Sequence, residues 1–133
     1  MAIKARLVHE AELEPFGPQN VQGDERRLLT GADHGLSTSV MHSQVAPGNG
    51  ARRHRHPHAE IFVLDQGRGR FEVDGIFFDA EAGDVVIIPP NAWHHFINNG
   101  SSALRHTAIH ENARAETTFE DGTERSTGHE RRP

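Results

Sequence analysis

The chain has 133 residues, with 14 Lys+Arg against 19 Asp+Glu and a formal net charge of −5. That length suits one domain around one core, and the acidic balance argues against a nucleic-acid partner, which calls for a basic face. There is no apolar run of about 18 residues that would span a bilayer. The start, Met1-Ala2-Ile3-Lys4, shows no apolar signal core, and zero cysteines exclude disulfides and thiolate chemistry. A cytoplasmic protein without membrane contact is the expectation. Histidine stands out at 11 residues.

In chain order, residues 1–37 read as an arm with a short strand or two. Its loops are marked by Pro15-Phe16-Gly17-Pro18, Gly23-Asp24-Glu25 and Gly31-Ala32-Asp33. From 38 to 112 short β-rich runs alternate with Gly, Pro, Asn and Asp. They are Thr38–Ala46, Glu60–Asp65, Gly69–Val73, Ile76–Asp79, Val85–Ile88, Trp93–Ile97 and Leu104–His110. This spacing predicts an all-β barrel or sandwich. Asp74-Gly75 predicts a type I′ hairpin, because both residues accept positive φ. Pro89-Pro90 ends the Val85–Ile88 run, since proline cannot supply a ladder N–H. Residues 113–133 read as a polar tail, packed loosely at Phe119, fraying after about Gly122 and partly disordered.

The chemistry concentrates in Arg53-His54-Arg55-His56-Pro57-His58-Ala59-Glu60. Side chains of a strand alternate faces, so His54, His56 and Glu60 can point the same way, although Pro57 weakens that parity. Two imidazoles and a carboxylate on one point form part of a coordination shell for a divalent transition metal, and His94 is the candidate fourth ligand. Alone, a His-x-His-x3-Glu string is a weak signal.

Its surroundings are more specific. The string Gly48-x5-His54-x-His56-x3-Glu60-x6-Gly67 is followed by Gly83-x5-Pro89-x-Asn91-x2-His94-x3-Asn98. Together they resemble the two motifs of the cupin superfamily, and the 15 residues between Gly67 and Gly83 suit its small bacterial members. Asn91 departs from the usual glycine, and asparagine tolerates the left-handed backbone better than other non-glycine residues. The resemblance implies a double-stranded β-helix, or jelly-roll, barrel and a homodimer. It also implies one metal ion on His54, His56, Glu60 and His94. Such a shell leaves two adjacent open positions on a six-coordinate ion, which favours Fe, Mn, Ni or Co, with Zn less suited. The implied partner is a small-molecule ligand or substrate. A dioxygenase is favoured, a non-redox isomerase or lyase is the alternative, and a ligand-binding barrel without catalysis is the third possibility; Glu60 is a candidate base as well as a ligand.

Parity places Phe62 inside with Glu60 and Phe96 on the pocket wall, and it turns His95 outward. Asn98 reads as a turn former. His42, with Val40 and Gln44, and His106, with Ala108 and His110, are each candidates to line the pocket. His58 reads as a spare surface histidine. Arg52, Arg53 and Arg55 read as loop solubilisers, and Phe71, Phe77, Phe78 and Trp93 as core or dimer contacts. His9, His34 and His129 carry no signal.

Overall fold

The structure is a computed structural model that describes residues 3–17, 21–126 and 129–131, the last of these by backbone pairing alone. Among the described residues, a six-stranded sheet runs β1(Glu14–Pro15), β2(Glu25–Leu29), β3(Ser39–Val45), β10(Leu104–His110), β5(Glu60–Gln66), β8(Val85–Ile88). A seven-stranded sheet runs β13(His129–Arg131), β12(Glu124–Ser126), β11(Glu116–Phe119), β4(Gly50–Arg55), β9(His94–Ile97), β6(Arg68–Val73), β7(Ile76–Glu81). All strand pairings among the described residues are antiparallel, and non-consecutive neighbours such as β3 with β10 and β4 with β9 give a jelly-roll barrel. Two short 3₁₀ turns, Glu10–Glu12 and Gly31–His34, complete the elements. No helix among the described residues is long and apolar enough to cross a membrane.

The period-2 pattern decides what lies inside. On β5, Glu60, Phe62 and Leu64 are buried while Ile61 and Val63 on the other face are half-covered. Register then stacks layers along the barrel: Glu60 opposite His110, Phe62 opposite Ala108, and Leu64 opposite His106. Phe62, Phe71 and Phe96 close the middle layer across the two sheets, with ring centroids 5.5–5.9 Å apart in tilted, edge and stacked pairs. The apolar core therefore occupies the centre, with a polar layer of histidines and Glu60 at one end.

The turns follow their residues. Asp74 and Gly75 have φ of 47° and 85°, as a type I′ hairpin requires. Gly67 has a φ of 81°, and a Cβ there would meet the Ala103 carbonyl oxygen at 2.5 Å, so only glycine fits. Asn98 is buried; its amide donates to the Val45 and Ser102 carbonyls and its Oδ1 accepts from Gly100 N–H, each at 2.9 Å.

Two regions differ from the sequence reading. The segment after 112, read as a loose tail, forms β11 and β12, with Phe119 opposite His54 and with Ala115, Thr117, Phe119 and Thr123 buried. Its apolar content is low, but its alternate residues supply one covered face, and β4 offers a free edge to pair with. Residues 127–128 and 132–133 lie outside the described residues, as does the side chain of His129. The arginines of β4 are likewise not loop residues. Arg53 bonds Glu72 at 2.7 Å and Glu120 at 3.1 Å, Arg52 sits 3.8 Å over the Phe119 ring, and Arg55 lies 4.7 Å over Trp93. Phe71 is in the core with Phe78 stacked on it, whereas Phe77 is exposed. Trp93 is half-covered by the arginines.

Candidate metal centre

Four side chains converge from three places in the chain. His54 is the last residue but one of β4, His56 follows the strand, Glu60 opens β5 and His94 opens β9. Their ligand atoms all lie within 4.8 Å of one another. Local backbone features set each ring. His54 Nδ1 lies 2.6 Å from the Arg52 carbonyl, His56 Nδ1 2.7 Å from that of Glu116, and His94 Nδ1 2.9 Å from that of Ala92. A carbonyl only accepts, so each Nδ1 carries hydrogen, and in the neutral ring each Nε2 presents a lone pair. Asn91 helps to place this turn. Its φ is 65°, and its backbone N–H donates to the His56 carbonyl at 2.6 Å. The left-handed conformation expected of that asparagine is therefore present.

Those lone pairs face a carboxylate. Glu60 Oε1 is 3.1 Å from His56 Nε2 and 3.2 Å from His94 Nε2. Acceptor facing acceptor in a buried site is unfavourable, and a cation between them reverses the sign. The residues thus fit a divalent ion on the chemistry of their donors. Burial, together with repulsion from His94 and His56, holds His54 well below the usual imidazole range, so the ring stays neutral as a ligand must. In the metal-free site a hydrogen on the facing nitrogens of His110, His56 or His94 takes the part of the cation: burial alone would raise Glu60, and these rings outweigh it and hold the carboxyl well below the usual range, hence ionised.

Of the tetrad, His54, His56 and Glu60 border a cavity of about 130 Å³, lined also by Phe62, Phe96 and Phe119 among apolar groups and by Arg26, Arg52 and Arg125 among charged ones. His106 and His110 belong to the same lining. His106 is buried edge-on to Phe62 and Phe96, with ring centroids at 5.0 and 5.4 Å, and neither ring nitrogen has a hydrogen-bond partner among the described residues. Burial pushes His106 down to about 4, and does the same to His110.

Of the residues singled out in the sequence, the structure brings together His54, His56, Glu60, His94, Phe62, Phe96 and His106. His42 does not join them: its side chain is exposed on the outer face of β3, where the strand turns Met41 and Ser43 inward instead. His95 points outward as expected, 3.3 Å from the buried Glu72. His58 is not a surface residue. It is 8% exposed, and its Nε2 lies 3.1 Å from His110 Nδ1. Pro57 breaks the strand parity, so no spacing rule reached His58. His110 was legible only as sharing a strand face with His106, and its alignment with Glu60 needs the β10–β5 register.

The structural picture agrees with comparisons to known proteins. The chain is 32% identical over 105 residues to polyketide synthase CurC of Streptomyces cyaneus, covering 77% of this chain and 67% of that protein. It is 38% identical over 89 residues to gentisate 1,2 dioxygenase 1 of Aquipseudomonas alcaligenes, covering 60% of this chain but 26% of the dioxygenase. Oxalate decarboxylase of Lactobacillus farciminis, solved as a formate complex, superposes with a TM-score of 0.75 at 21% identity over 85% of this chain and 35% of that one, a likeness of fold. The cupin domain model matches residues 41–110, which hold both motifs and all four convergent side chains, and the chain belongs to the cupin family.

Proposed function

We propose that this chain is a metal-dependent enzyme acting on a small oxygenated metabolite, with chemistry of the dioxygenase type. The observation that carries this reading is the preset tetrad, whose rings are tied to backbone carbonyls and turn their Nε2 atoms and Glu60 Oε1 to one point beside an aromatic-walled cavity. His54, His56, Glu60 and His94 hold one divalent ion. Fe, Mn, Ni or Co suit three nitrogens and an oxygen better than Zn, which prefers a closed tetrahedron. When bound, the ion supplies a Lewis acid for adjacent substrate oxygens and, as iron, a centre for dioxygen activation.

The chain's own residues do the rest. Phe62 and Phe96 exclude water and hold the apolar part of the substrate, and His106 bonds its polar end. Arg26, Arg52 and Arg125 line the cavity, Arg26 and Arg52 with the carboxylates of Asp24 and Asp121 at 3.6 and 3.9 Å, and this polar rim suits an oxygen-bearing substrate. We read Glu60 as ligand rather than base, because both of its oxygens already face imidazoles. Size narrows the class further. A dry engineered cavity of about 150 Å³ admits benzene, so about 130 Å³ suits one small ring or a short acid. The similarity to a gentisate dioxygenase supports that choice.

A second reading rests on length. CurC is matched over 67% of its chain, far more than the dioxygenase, which favours a non-redox isomerase- or lyase-type role on a polyketide, or binding without turnover. A polycyclic ligand would need the cavity to widen. In either reading we propose a homodimer, since β8 lies at a sheet edge with Val85 and Ile87 exposed.

Elemental analysis of protein purified without oxygen or nickel resin, followed by oxygen-electrode assays with gentisate and related hydroxy acids, tests this. Stoichiometric iron with substrate-dependent oxygen uptake, both lost in His54→Ala, is the expected result. A stoichiometric metal without oxygen uptake favours the second reading. No metal after reconstitution overturns the assignment of the site.

A further inference from the structure

The two oxygens of Glu60 have different surroundings. Oε1 faces His56 and His94, whereas Oε2 faces His110 Nε2 at 3.3 Å. On its other side, His110 Nδ1 lies 3.1 Å from His58 Nε2. All three residues are buried: Glu60 and His110 are 2% exposed and His58 is 8%. A carboxylate only accepts, so the His110 nitrogen that faces it carries hydrogen. If that ring is neutral its Nδ1 is an acceptor, and the hydrogen between the rings then belongs to His58 Nε2. Placing the hydrogen on His110 Nδ1 alone would instead set a lone pair against Glu60. The 3.3 Å contact is longer than a formed bond, and His110 Nε2 has no hydrogen-bond partner otherwise among the described residues, so a small ring tilt satisfies both atoms. His56 completes a histidine trio with this pair, but its Nδ1 is committed to the Glu116 carbonyl and its Nε2 to the tetrad.

We propose that His110, oriented by His58, is a positioning residue that holds Glu60 by Oε2 and confines the carboxylate to a one-oxygen bond to the ion. This rests on the metal reading above and deepens it. A carboxylate held by one oxygen leaves neighbouring positions on the ion for a chelating substrate. One that swings to use both oxygens takes a position away. The selection of a substrate with two adjacent oxygens thus depends on a pair of histidines that need never touch the ion.

The test is Mn(II) titration of metal-free protein, read by the signal of free Mn(II) and by water-proton relaxation of the bound ion. In His110→Phe the affinity is expected to fall about 10- to 100-fold, the range for loss of a partner that orients a ligand. Relaxivity per bound ion is expected to fall too, as the second Glu60 oxygen displaces water. His110→Gln restores a donor near the place of Nε2 and is expected to recover both. His58→Phe should weaken binding in the same direction but less, and should add nothing to His110→Phe. Should His110→Phe fail to fold, His58→Phe decides the matter. Wild-type affinity and relaxivity in a folded His110→Phe, or in His58→Phe where that alone can be measured, overturn the proposal and leave the metal site intact. If the wild-type chain binds no Mn(II) and no other divalent metal, the metal reading fails and this proposal fails with it.

Discussion

The two histidine-bearing walls of the cavity are built in opposite ways. On the β4–β9 wall, His54, His56 and His94 each donate from Nδ1 to a main-chain carbonyl, so ring orientation and tautomer are set by the backbone before any ligand arrives. On the β10 wall no main-chain carbonyl among the described residues serves the rings in this way: there His110 meets side chains, and His106 has neither nitrogen paired. A buried unpaired polar atom costs about 1–3 kcal/mol. On the reading proposed above, a fold that tolerates this at His106 while satisfying the Nδ1 atoms of His54, His56 and His94 keeps one wall for a fixed ion and leaves His106 for a variable guest.

The sharpest break of that comparison is removal of a ring from the fixed wall. His94→Ala is expected to cut metal affinity by well over the about 100-fold that loss of an orienting partner alone can cost. Metal-dependent turnover should fall to background with it. Far-ultraviolet circular dichroism should stay native, because the Phe62–Phe71–Phe96 layer beneath is untouched. Stoichiometric metal in purified His94→Ala would remove this ring from the ligand set.

A substitution on the other wall should act in the opposite sense. His106→Phe replaces two unpaired nitrogens by apolar edge among aromatic neighbours. It is therefore expected to leave metal content unchanged and stability equal or raised by up to about 2 kcal/mol, while KM rises. The pH dependence gives the same contrast. Burial holds folded His106 near 4 whereas the unfolded chain takes up its proton near 6.5, so the unfolded state binds more protons between those values. Stability from this ring is complete above pH 6.5 and declines as pH falls towards 4, by up to about 3 kcal/mol at 1.36 kcal/mol per unit. Denaturant melts between pH 7 and 4 should show a shallower decline in His106→Phe than in wild type. Parallel curves would show that this ring does not titrate as its burial demands.

How much of this was legible in the sequence follows the same division. The fixed wall was readable, because it is encoded locally: two short motifs with glycines and prolines at turn positions deliver His54, His56, Glu60 and His94. The interior places of Phe62 and Phe96 followed from strand parity. The His58–His110 pair behind Glu60 was missed, since His58 follows a proline that breaks parity and His110 meets Glu60 only through pairing 50 residues apart. The placement of His42 failed for a related reason. Parity says which residues share a face but not which face turns inward, and on β3 the inward set is Ser39, Met41, Ser43 and Val45. The β11–β12 hairpin was missed because its strands carry few apolar residues and gain their order from the edge of β4.

The smallest effect should come at Asn91, where the fixed wall departs from the usual cupin glycine. Its φ of 65° costs an ordinary L-residue about 1–2 kcal/mol, and asparagine less. Asn91→Gly would relieve that strain but add conformational entropy to the unfolded chain, worth about 0.4–1 kcal/mol in the other direction. The two nearly cancel, so a change within about 0.5 kcal/mol is expected. Asn91→Ala has no such offset and should cost about 1 kcal/mol. What the position supplies to the site is backbone: its N–H bonds the His56 carbonyl, and the next carbonyl, that of Ala92, accepts from His94 Nδ1. Asn91→Gly keeps both groups and should therefore keep the metal affinity, measured by the same Mn(II) titration. Weaker binding in that variant, at unchanged stability, would mean that the asparagine side chain itself helps to hold the fixed wall in place, and that the wall is less a property of its backbone than its three carbonyl bonds imply.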